Sequence, residues 1–319
     1  MKEKLIFLYY FFLGGSWHKL ENPKNGYSVI LPVLPEFYGI TEYNLRFMTS
    51  CDLADCNEII VVSDSPKYYN ENLNAVNRYS NIVNIKYIVI SNFKRLLIKF
   101  HKTSHVIHAA NLITGINHSK SKYIFIHDMD FFITEKNHMK KIFDQITREQ
   151  LNLISSYSRT YPTGKAPATY ELLLSRQFIT SRPPYFLFGC NINGKWYSTL
   201  TRFYIEAKTG REKLMDSDIG IHFKHLFDRY RAFEKQKTSF VDLKYSIFML
   251  FVLSKANPCV KHNLLETLDE YFNMVKIEKM PYLEKLEKYF LLMTGSPLIS
   301  KKEREFMMSC FKSLKDRLS

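Results

Sequence analysis

Runs of consecutive apolar residues, rather than strict alternation with polar ones, recur along the first half of the chain. Four of these runs predict buried strands, at 28–31, 58–62, 83–91 and 123–126. Apolar residues between them recur at helical spacing, as over 40–48, and predict helices that separate the strands. Strands that are apolar on both faces and alternate with helices are typical of a parallel α/β sheet flanked by helices.

The second half of the chain predicts a different organisation. A further apolar run, 185–192, predicts one more strand, and 214–230 predicts a helix with acids at its beginning. From about residue 238, apolar segments at helical spacing are separated by prolines and predict a helical subdomain. We therefore predict an N-terminal segment, 1–26, a central α/β domain, 27–230, and a C-terminal helical subdomain, 231–319.

Acidic residues stand where two of the predicted strands end. Asp64 follows the second strand, and Asp128 and Asp130 follow the strand at 123–126. Burying a carboxylate costs free energy unless it is paired or binds a metal. Two carboxylates on one turn can bind a hard divalent cation such as Mg²⁺ or Mn²⁺ from one side. Since ligands bind at the carboxyl ends of parallel strands, the sequence predicts a metal site at that edge of the sheet.

The charge of the chain points to an acidic partner. The formal net charge is +14 with a pI near 9.3, and no acid lies between Glu71 and Asp128. Nucleic acid, anionic lipid and phosphate-bearing substrates would all satisfy this balance. The five cysteines have no C-x-x-C spacing, which favours reduced thiols and offers no zinc site.

Two segments bear on membrane contact. The apolar run 5–13 is too short to span a bilayer, so a strand or helix of the fold is expected. A membrane-surface element and a cleaved secretory signal are the alternatives. At the other end, 301–319 combines lysines and arginines with an apolar stripe. This amphipathic pattern suits either an anionic membrane surface or packing on the central domain.

Over about residues 27–230 the sequence resembles the GT-A glycosyltransferases, especially the family 2 type. "SVILPVLPE" is similar to their first strand and proline turn, and "EIIVVSDSP" to the strand that follows. The most specific match is "NLITGINHSKSKYIFIHDMD", which ends in their D-x-D motif, and "FGCNING" and "DSDIGIHFK" resemble later motifs. The chain departs from the family pattern at Pro35, Ala110 and the single Asp64.

The resemblance implies a GT-A fold, which is a Rossmann-like mixed α/β sheet flanked by helices, and a metal-dependent hexosyltransferase. The expected donor is a nucleotide-sugar, with UDP favoured, and the expected acceptor is a hydroxyl of a glycan or a lipid-linked glycan. Inversion at the anomeric carbon and a place in bacterial surface polysaccharide synthesis follow from the same resemblance. The implied cofactor is Mn²⁺ or Mg²⁺, and the implied location is the cytoplasm, with peripheral contact at the inner face of the cell membrane.

The resemblance also assigns roles to individual residues. Asp218 aligns with the catalytic base of inverting members, and Asp216 is its neighbour and alternative. The implied metal ligands are Asp128, Asp130 and His222, the last placed four residues after Asp218 on the same predicted helical face. The implied donor-binding residues are Pro32, Val33, Asp64, Asn111 and Asp128.

Two other classes of protein remain open at this stage. A nucleotidyltransferase also uses acids at strand ends, but it usually has a glycine-rich phosphate loop after its first strand, and "LPVLPEFYG" lacks one. A basic protein that binds nucleic acid would account for the charge, but no nucleic-acid-binding motif is present and no such partner is expected.

Overall fold

The structure is a computed structural model. It describes residues 2–101, 103–133, 135–161, 164–192, 195–215 and 220–222, and beyond these residue 291, 301–302, 304–305, 308–309 and 312. The chain divides into two compact units, 1–221 and 222–319. The division falls within a short strand that ends at His222. The fold described below is that of the first unit, together with the end of this strand.

A seven-stranded sheet forms the centre of the first unit. The strands of the unit are β1 (Lys24–Val33), β2 (Cys56–Ser63), β3 (Ile85–Val89), β4 (Ser121–His127), β5 (Phe131–Ile133), β6 (Leu153–Ser155), β7 (Ser158–Tyr161), β8 (Gly164–Pro167), β9 (Glu171–Ser175), β10 (Cys190–Ile192), β11 (Lys195–Tyr197), β12 (Glu212–Leu214) and β13 (Gly220–His222). The order in the large sheet is β12-β6-β9-β4-β1-β2-β3, and three strand pairs, β5–β13, β7–β8 and β10–β11, lie outside it.

The sheet is mostly parallel, with one antiparallel insertion. β1 pairs in parallel with both β2 and β4, β2 with β3, and β6 with β12. β9 runs antiparallel between β4 and β6. The carboxyl ends of β1, β2 and β4 therefore meet at one edge of the sheet, next to the amino end of β9. The predicted mixed α/β sheet flanked by helices is confirmed.

Eight α-helices connect and cover the strands of the described part of the chain. They are α1 (Lys2–Gly14), α2 (Tyr38–Thr49), α3 (Tyr69–Asn77), α4 (Asn92–Phe100), α5 (Ser104–His118), α6 (His138–Arg148), α7 (Arg176–Ile179) and α8 (Thr201–Ala207). Local chemistry sets two of the starts, because Ser91 accepts a hydrogen bond from the amide of Lys94, and Thr103 accepts one from Val106.

Helix α5 is the main cover of the sheet beside the acidic turn. Its residues from Val106 to Ile116 are almost all buried, and they belong to one core cluster with side chains of β1, β2 and β4. At Gly115 the helix comes so close that an added Cβ would collide with the side chain of Ile30. Glycine is therefore needed to seat α5 against the sheet.

The structure corrects three predictions of secondary structure. β1 continues through Pro32. Proline has no amide hydrogen to donate, but it is tolerated here because the pairing of β1 with β4 has already ended at Ile30. The segment 185–192 begins in a 3-10 turn, Pro184–Leu187, and only Cys190–Ile192 is a strand. The helix predicted over 214–230 is wrong at Gly220–His222, which pairs as a strand with β5.

Most of the predicted C-terminal helical subdomain, 231–319, lies outside the described residues, as does most of its apolar stripe. The few described positions between 291 and 312 are helical. Among the helices that the structure describes, none has the length and apolar character needed to cross a bilayer.

Candidate metal and donor site

The turn between β4 and β5 carries the two acids that the sequence singled out. β4 is buried at its carboxyl end, and the chain then turns through Asp128 and Asp130 into the fully buried strand β5. The amide of Phe131 donates to the carbonyl oxygen of Asp128 at 3.1 Å and closes the turn. The carboxylate of Asp128 remains 22% exposed. The turn thus presents its acids to solvent at the edge of an otherwise buried sheet.

His222 ends β13, the strand that pairs with β5. One ligand atom each from Asp128, Asp130 and His222 lies within 4.8 Å of the other two. Two carboxylate oxygens and an imidazole nitrogen form a donor set that suits Mn²⁺, and the nitrogen makes it less suited to Mg²⁺. The residues present therefore fit a divalent metal.

His108 on α5 lies beside the acidic turn. Its Nε2 is 3.0 Å from Oδ1 of Asp128. Burial alone would lower the pKa of His108, but the charge of Asp128, its hydrogen bond and the charge of Asp130 outweigh burial and raise that pKa. A protonated His108 compensates Asp128 when no cation is bound. The sequence motif did not indicate this residue.

A buried polar network lies directly behind the turn. Glu171, at the start of β9, is 0% exposed and contacts two histidines. Its Oε2 is 2.6 Å from Nδ1 of His127, and its Oε1 is 3.1 Å from Nε2 of His138. Burial raises the pKa of Glu171, but the charges and hydrogen bonds of the two histidines outweigh it, so the pKa is lowered. Glu171 is therefore an ionised carboxylate held by imidazoles.

Asn44 on α2 connects this network to the backbone of the turn. Its amide nitrogen donates to the carbonyl oxygens of Met129 at 3.0 Å and Phe131 at 2.8 Å. Its Oδ1 lies 3.0 Å from Nε2 of His127, so that nitrogen must carry the proton. His127 thus connects Glu171 to Asn44 through its two ring nitrogens. A chain of hydrogen bonds thus runs from the buried carboxylate to the backbone between the two acids.

Sequence reasoning missed Asn44, Glu171 and His138. Glu171 opens the apolar run "ELLLS", and an acid next to an apolar strand is the same signal that marked Asp128. Asn44 and His138 lie in helices whose sequences show only apolar spacing. Their partners come from distant parts of the chain, so no local pattern could have indicated them.

Three predicted donor-binding residues lie together at the ends of β1 and β2. Pro32 and Val33 close β1, and Val33 is in register with Ser63, the residue before Asp64. The Ser63 hydroxyl accepts a hydrogen bond from the amide of Ser65, so Ser63 closes this turn. Asp64 is partly buried. Pro32, Val33 and Asp64 therefore lie along the same sheet edge as the acidic turn, with Pro32 and Val33 buried and Asp64 partly exposed.

The remaining predicted residues lie elsewhere. Asn111 is buried within α5 and only 2% exposed, so it has little surface to offer a ligand. Asp216 and Asp218 lie outside the described residues. The argument that placed Asp218 and His222 on one helical face fails, because His222 is in a strand. The roles of Asn111, Asp216 and Asp218 stay predictions.

A large open groove lies at the opposite edge of the sheet. Asn25, Asp55, Lys122, Asn152 and Arg211 are among the residues that line it. It borders the amino ends of β1 and β4, whereas the acidic turn follows the carboxyl end of β4. The groove therefore belongs to a different surface from the candidate site.

No protein-family model and no curated protein matches the sequence. Solved structures give similarities of fold. TarS of S. aureus, in complex with UDP-GlcNAc, has 14% identity and a TM-score of 0.41, covering 92% of this chain and 89% of that one. The mannosyltransferase PcManGT of Pyrobaculum calidifontis, with GDP-Man and Mn²⁺, has 11% identity and a TM-score of 0.44, covering 98% and 91%.

Another similar structure is glucosyl-3-phosphoglycerate synthase of Mycobacterium tuberculosis, in complex with Mn²⁺, UDP-Glc and glycerol 3-phosphate. It has 14% identity and a TM-score of 0.39, covering 67% of this chain and 77% of that one.

Proposed function

We propose that the chain is a metal-dependent glycosyltransferase that moves a sugar from a nucleotide-sugar to an acceptor hydroxyl. The observation that carries the proposal is the pair of partly exposed acids, Asp128 and Asp130, on a turn at the carboxyl edge of the sheet. A nucleotide diphosphate needs a counter-charge at such an edge, and two carboxylates with a bridging cation provide it.

Asp128, Asp130 and His222 would hold the metal, with Mn²⁺ favoured over Mg²⁺ by the imidazole nitrogen. When bound, the metal supplies Lewis-acid stabilisation of the negative charge on the departing nucleoside diphosphate. His108, 3.0 Å from Oδ1 of Asp128, would lie beside the carboxylates that hold the metal.

The residues around the turn position the acids and the donor. Asn44 holds the carbonyl groups of the turn, and His127 and Glu171 hold Asn44 through a buried chain of hydrogen bonds. Asp64 would accept hydrogen bonds from the nucleotide base, and Pro32 and Val33 would form the wall of its pocket. Because the turn is preorganised, donor binding involves no free-energy cost for ordering the acids.

The chemical step needs a base for the acceptor hydroxyl. Asp218 would take the proton as the hydroxyl attacks the anomeric carbon, with Asp216 beside it as the alternative. A single direct displacement of this kind inverts the configuration at that carbon. The resemblance to GT-A enzymes supports this assignment, along with Asn111 as a donor contact and a UDP-sugar as donor.

The biological setting is also a proposal. A hexose transferred to a glycan or lipid-linked acceptor, during surface polysaccharide synthesis in a bacterium, fits the motifs. In that setting the enzyme would work in the cytoplasm or at the inner face of the membrane.

The test is an assay of the purified full chain with a panel of UDP- and GDP-sugars and Mn²⁺. We expect release of nucleoside diphosphate from one donor, its loss on chelation, and recovery when Mn²⁺ is restored. Formation of a nucleotide-sugar and pyrophosphate from a nucleoside triphosphate and a sugar phosphate would instead identify a nucleotidyltransferase. Calorimetry with Mn²⁺ alone gives a readout that does not depend on the choice of donor.

A further inference from the structure

Exposed apolar side chains cover two adjoining helices, α1 and α4, on the first unit. We call this surface the apolar face, and Phe100 within it is 76% exposed. Monomeric soluble proteins seldom expose large contiguous apolar surfaces unless they bind something there. The apolar face consists of Leu5, Leu8, Phe11 and Phe12 of α1 and Phe93, Leu96 and Phe100 of α4, each at least half exposed.

Each helix is anchored by its opposite side, so the exposure is built into the fold. Tyr10 of α1 is buried and stacks on Phe188 with ring centroids 4.6 Å apart. The Tyr9 hydroxyl donates to the carbonyl oxygen of Leu97 at 3.1 Å and joins α1 to α4. On α4, Phe93, Leu96 and Phe100 follow helical spacing on one stripe, which points outward.

The charges around the apolar face favour an anionic occupant. Arg95 and Lys99 belong to α4 itself. Arg202 lies over the ring of Phe7 on α1 at 4.7 Å, but it is paired with Glu206 at 2.8 Å, so the excess positive charge comes from α4. No acid occurs in the sequence between Glu71 and Asp128, a stretch that includes all of α4. Apolar side chains beside cations are the combination found in helices that lie in the headgroup region of anionic membranes.

We propose that the apolar face seats the protein in the surface of an anionic lipid bilayer. α1 has 13 residues and is therefore about 20 Å long, shorter than the hydrocarbon core of a bilayer at about 30 Å. It would lie in the interface and not cross it. A symmetric dimer through the same face is disfavoured, because it would bring the cations of α4 in one copy close to those of α4 in the other.

This inference does not depend on the proposed enzymatic activity. It also differs from the membrane contact predicted for 301–319, since it concerns the opposite end of the sequence. The apolar face includes the carboxyl end of α4, and α5 begins four residues later with His108 on its second turn.

The test is co-sedimentation of the full chain with phosphatidylcholine vesicles that contain phosphatidylglycerol, and with phosphatidylcholine alone. The double variant Leu96→Gln/Phe100→Ser should bind the anionic vesicles at least about tenfold more weakly, since two large apolar side chains are lost from the contact. Lys99→Glu should weaken binding most at low salt. Ile82→Ser is the matched control, because Ile82 is 56% exposed and lies outside α1 and α4.

Wild-type-like thermal unfolding of each variant shows that a loss of binding is not a loss of folding. Absence of wild-type binding to anionic vesicles at low salt would overturn the proposal, as would equal binding by the double variant. Equal losses in Ile82→Ser would do the same. A concentration-dependent dimer that the double variant abolishes would assign the apolar face to a second copy of the chain.

Discussion

The two edges of the central sheet both carry buried charged groups, but the surroundings of these groups differ. At the amino edge, Glu58 accepts hydrogen bonds from Ser28 at 3.0 Å and the amide of Lys120 at 2.8 Å, and it pairs with Lys86 at 2.5 Å. Next to it, Arg176 donates to the carbonyl oxygens at the start of β4. Each of these charged groups is hydrogen-bonded or paired within the protein, so the charges at this edge stabilise the fold.

At the carboxyl edge, charge is divided between two layers. Glu171 is fully buried and is satisfied by His127 and His138. In front of it, Asp128 and Asp130 are partly exposed, and Nε2 of His108 lies 3.0 Å from Oδ1 of Asp128. Buried charge by itself therefore does not mark a functional site in this protein. A functional site is instead indicated by charged groups that remain accessible while buried groups next to them hold them in place.

Among the variants that test this comparison, Asp130→Ala should have the largest effect on activity. We expect metal-dependent transfer to fall by about 10³-fold or more, because the counter-charge on the diphosphate is worth several kcal/mol. The fold should be unchanged, since the side chain lies on a surface turn. Turnover is measured in Mn²⁺ and thermal unfolding in parallel, with Asp144→Ala on the exposed face of α6 as control. Wild-type turnover in the variant would contradict the metal assignment.

Asp218→Asn tests the base that the sequence resemblance assigns. Turnover should fall by about 10² to 10⁴, the usual contribution of a positioned general base. The affinity for the donor should change little, because the base meets the acceptor. Steady-state kinetics on both substrates separates the two effects. A large loss in Asp216→Asn with little change in Asp218→Asn would move the assignment by two residues.

At the amino edge, Glu58→Gln should reduce stability without affecting the chemistry. The variant loses the charge that Lys86 and the surrounding donors face, at a cost of about 1–3 kcal/mol in the free energy of unfolding. The measurement is denaturant unfolding, together with turnover of the folded fraction. Glu42→Gln is the control, because its pair with Arg78 is largely exposed and should contribute under about 0.5 kcal/mol.

The same variant has a defined pH dependence. Burial raises the pKa of Glu58, but hydrogen bonds from Lys86, Lys120 and Ser28 outweigh it, so the pKa is lowered in the folded state. A lowered pKa means that this stabilisation is complete above the ordinary value of 4.5 and is lost as the pH falls through the folded-state value. The stability gap between wild type and Glu58→Gln should therefore narrow on acidification. A stability difference between wild type and Glu58→Gln that grows on acidification would contradict the pairing of Glu58 with Lys86.

Asn44→Ala probes the support behind the acidic turn and should reduce activity less than removal of Asp130 does. Loss of the amide that holds the turn should weaken Mn²⁺ binding by about 10- to 100-fold, as for other groups that orient metal ligands. Calorimetric titration of Mn²⁺ measures this directly. Asn72→Ala is the matched control, since that buried amide also donates to backbone carbonyls, those of Pro35 and Tyr68. Equal losses in both variants would reduce Asn44 to a role in stability.

The sequence predicted those parts of this comparison that are local. An apolar run that ends in acids sufficed to place Asp128 and Asp130 at a strand end. The strand β9 was missed because its five residues show only a short apolar run, and its position depends on antiparallel pairing with β4. His222 was assigned to a helix because the pattern of 214–230, with acids at its beginning, predicted one, although tertiary pairing with β5 makes Gly220–His222 a strand.

The insertion of β9 between β4 and β6 has a consequence for how the molecule folds. His127 and Glu171 are 44 residues apart in the sequence, yet their contact supports the acidic turn. Loop closure over such a distance comes late compared with the formation of helices or adjacent strands. The acids can therefore acquire their final geometry only after the chain through Ser175 is available to pair. During synthesis, the sheet would begin to form well before its acidic turn reaches this geometry.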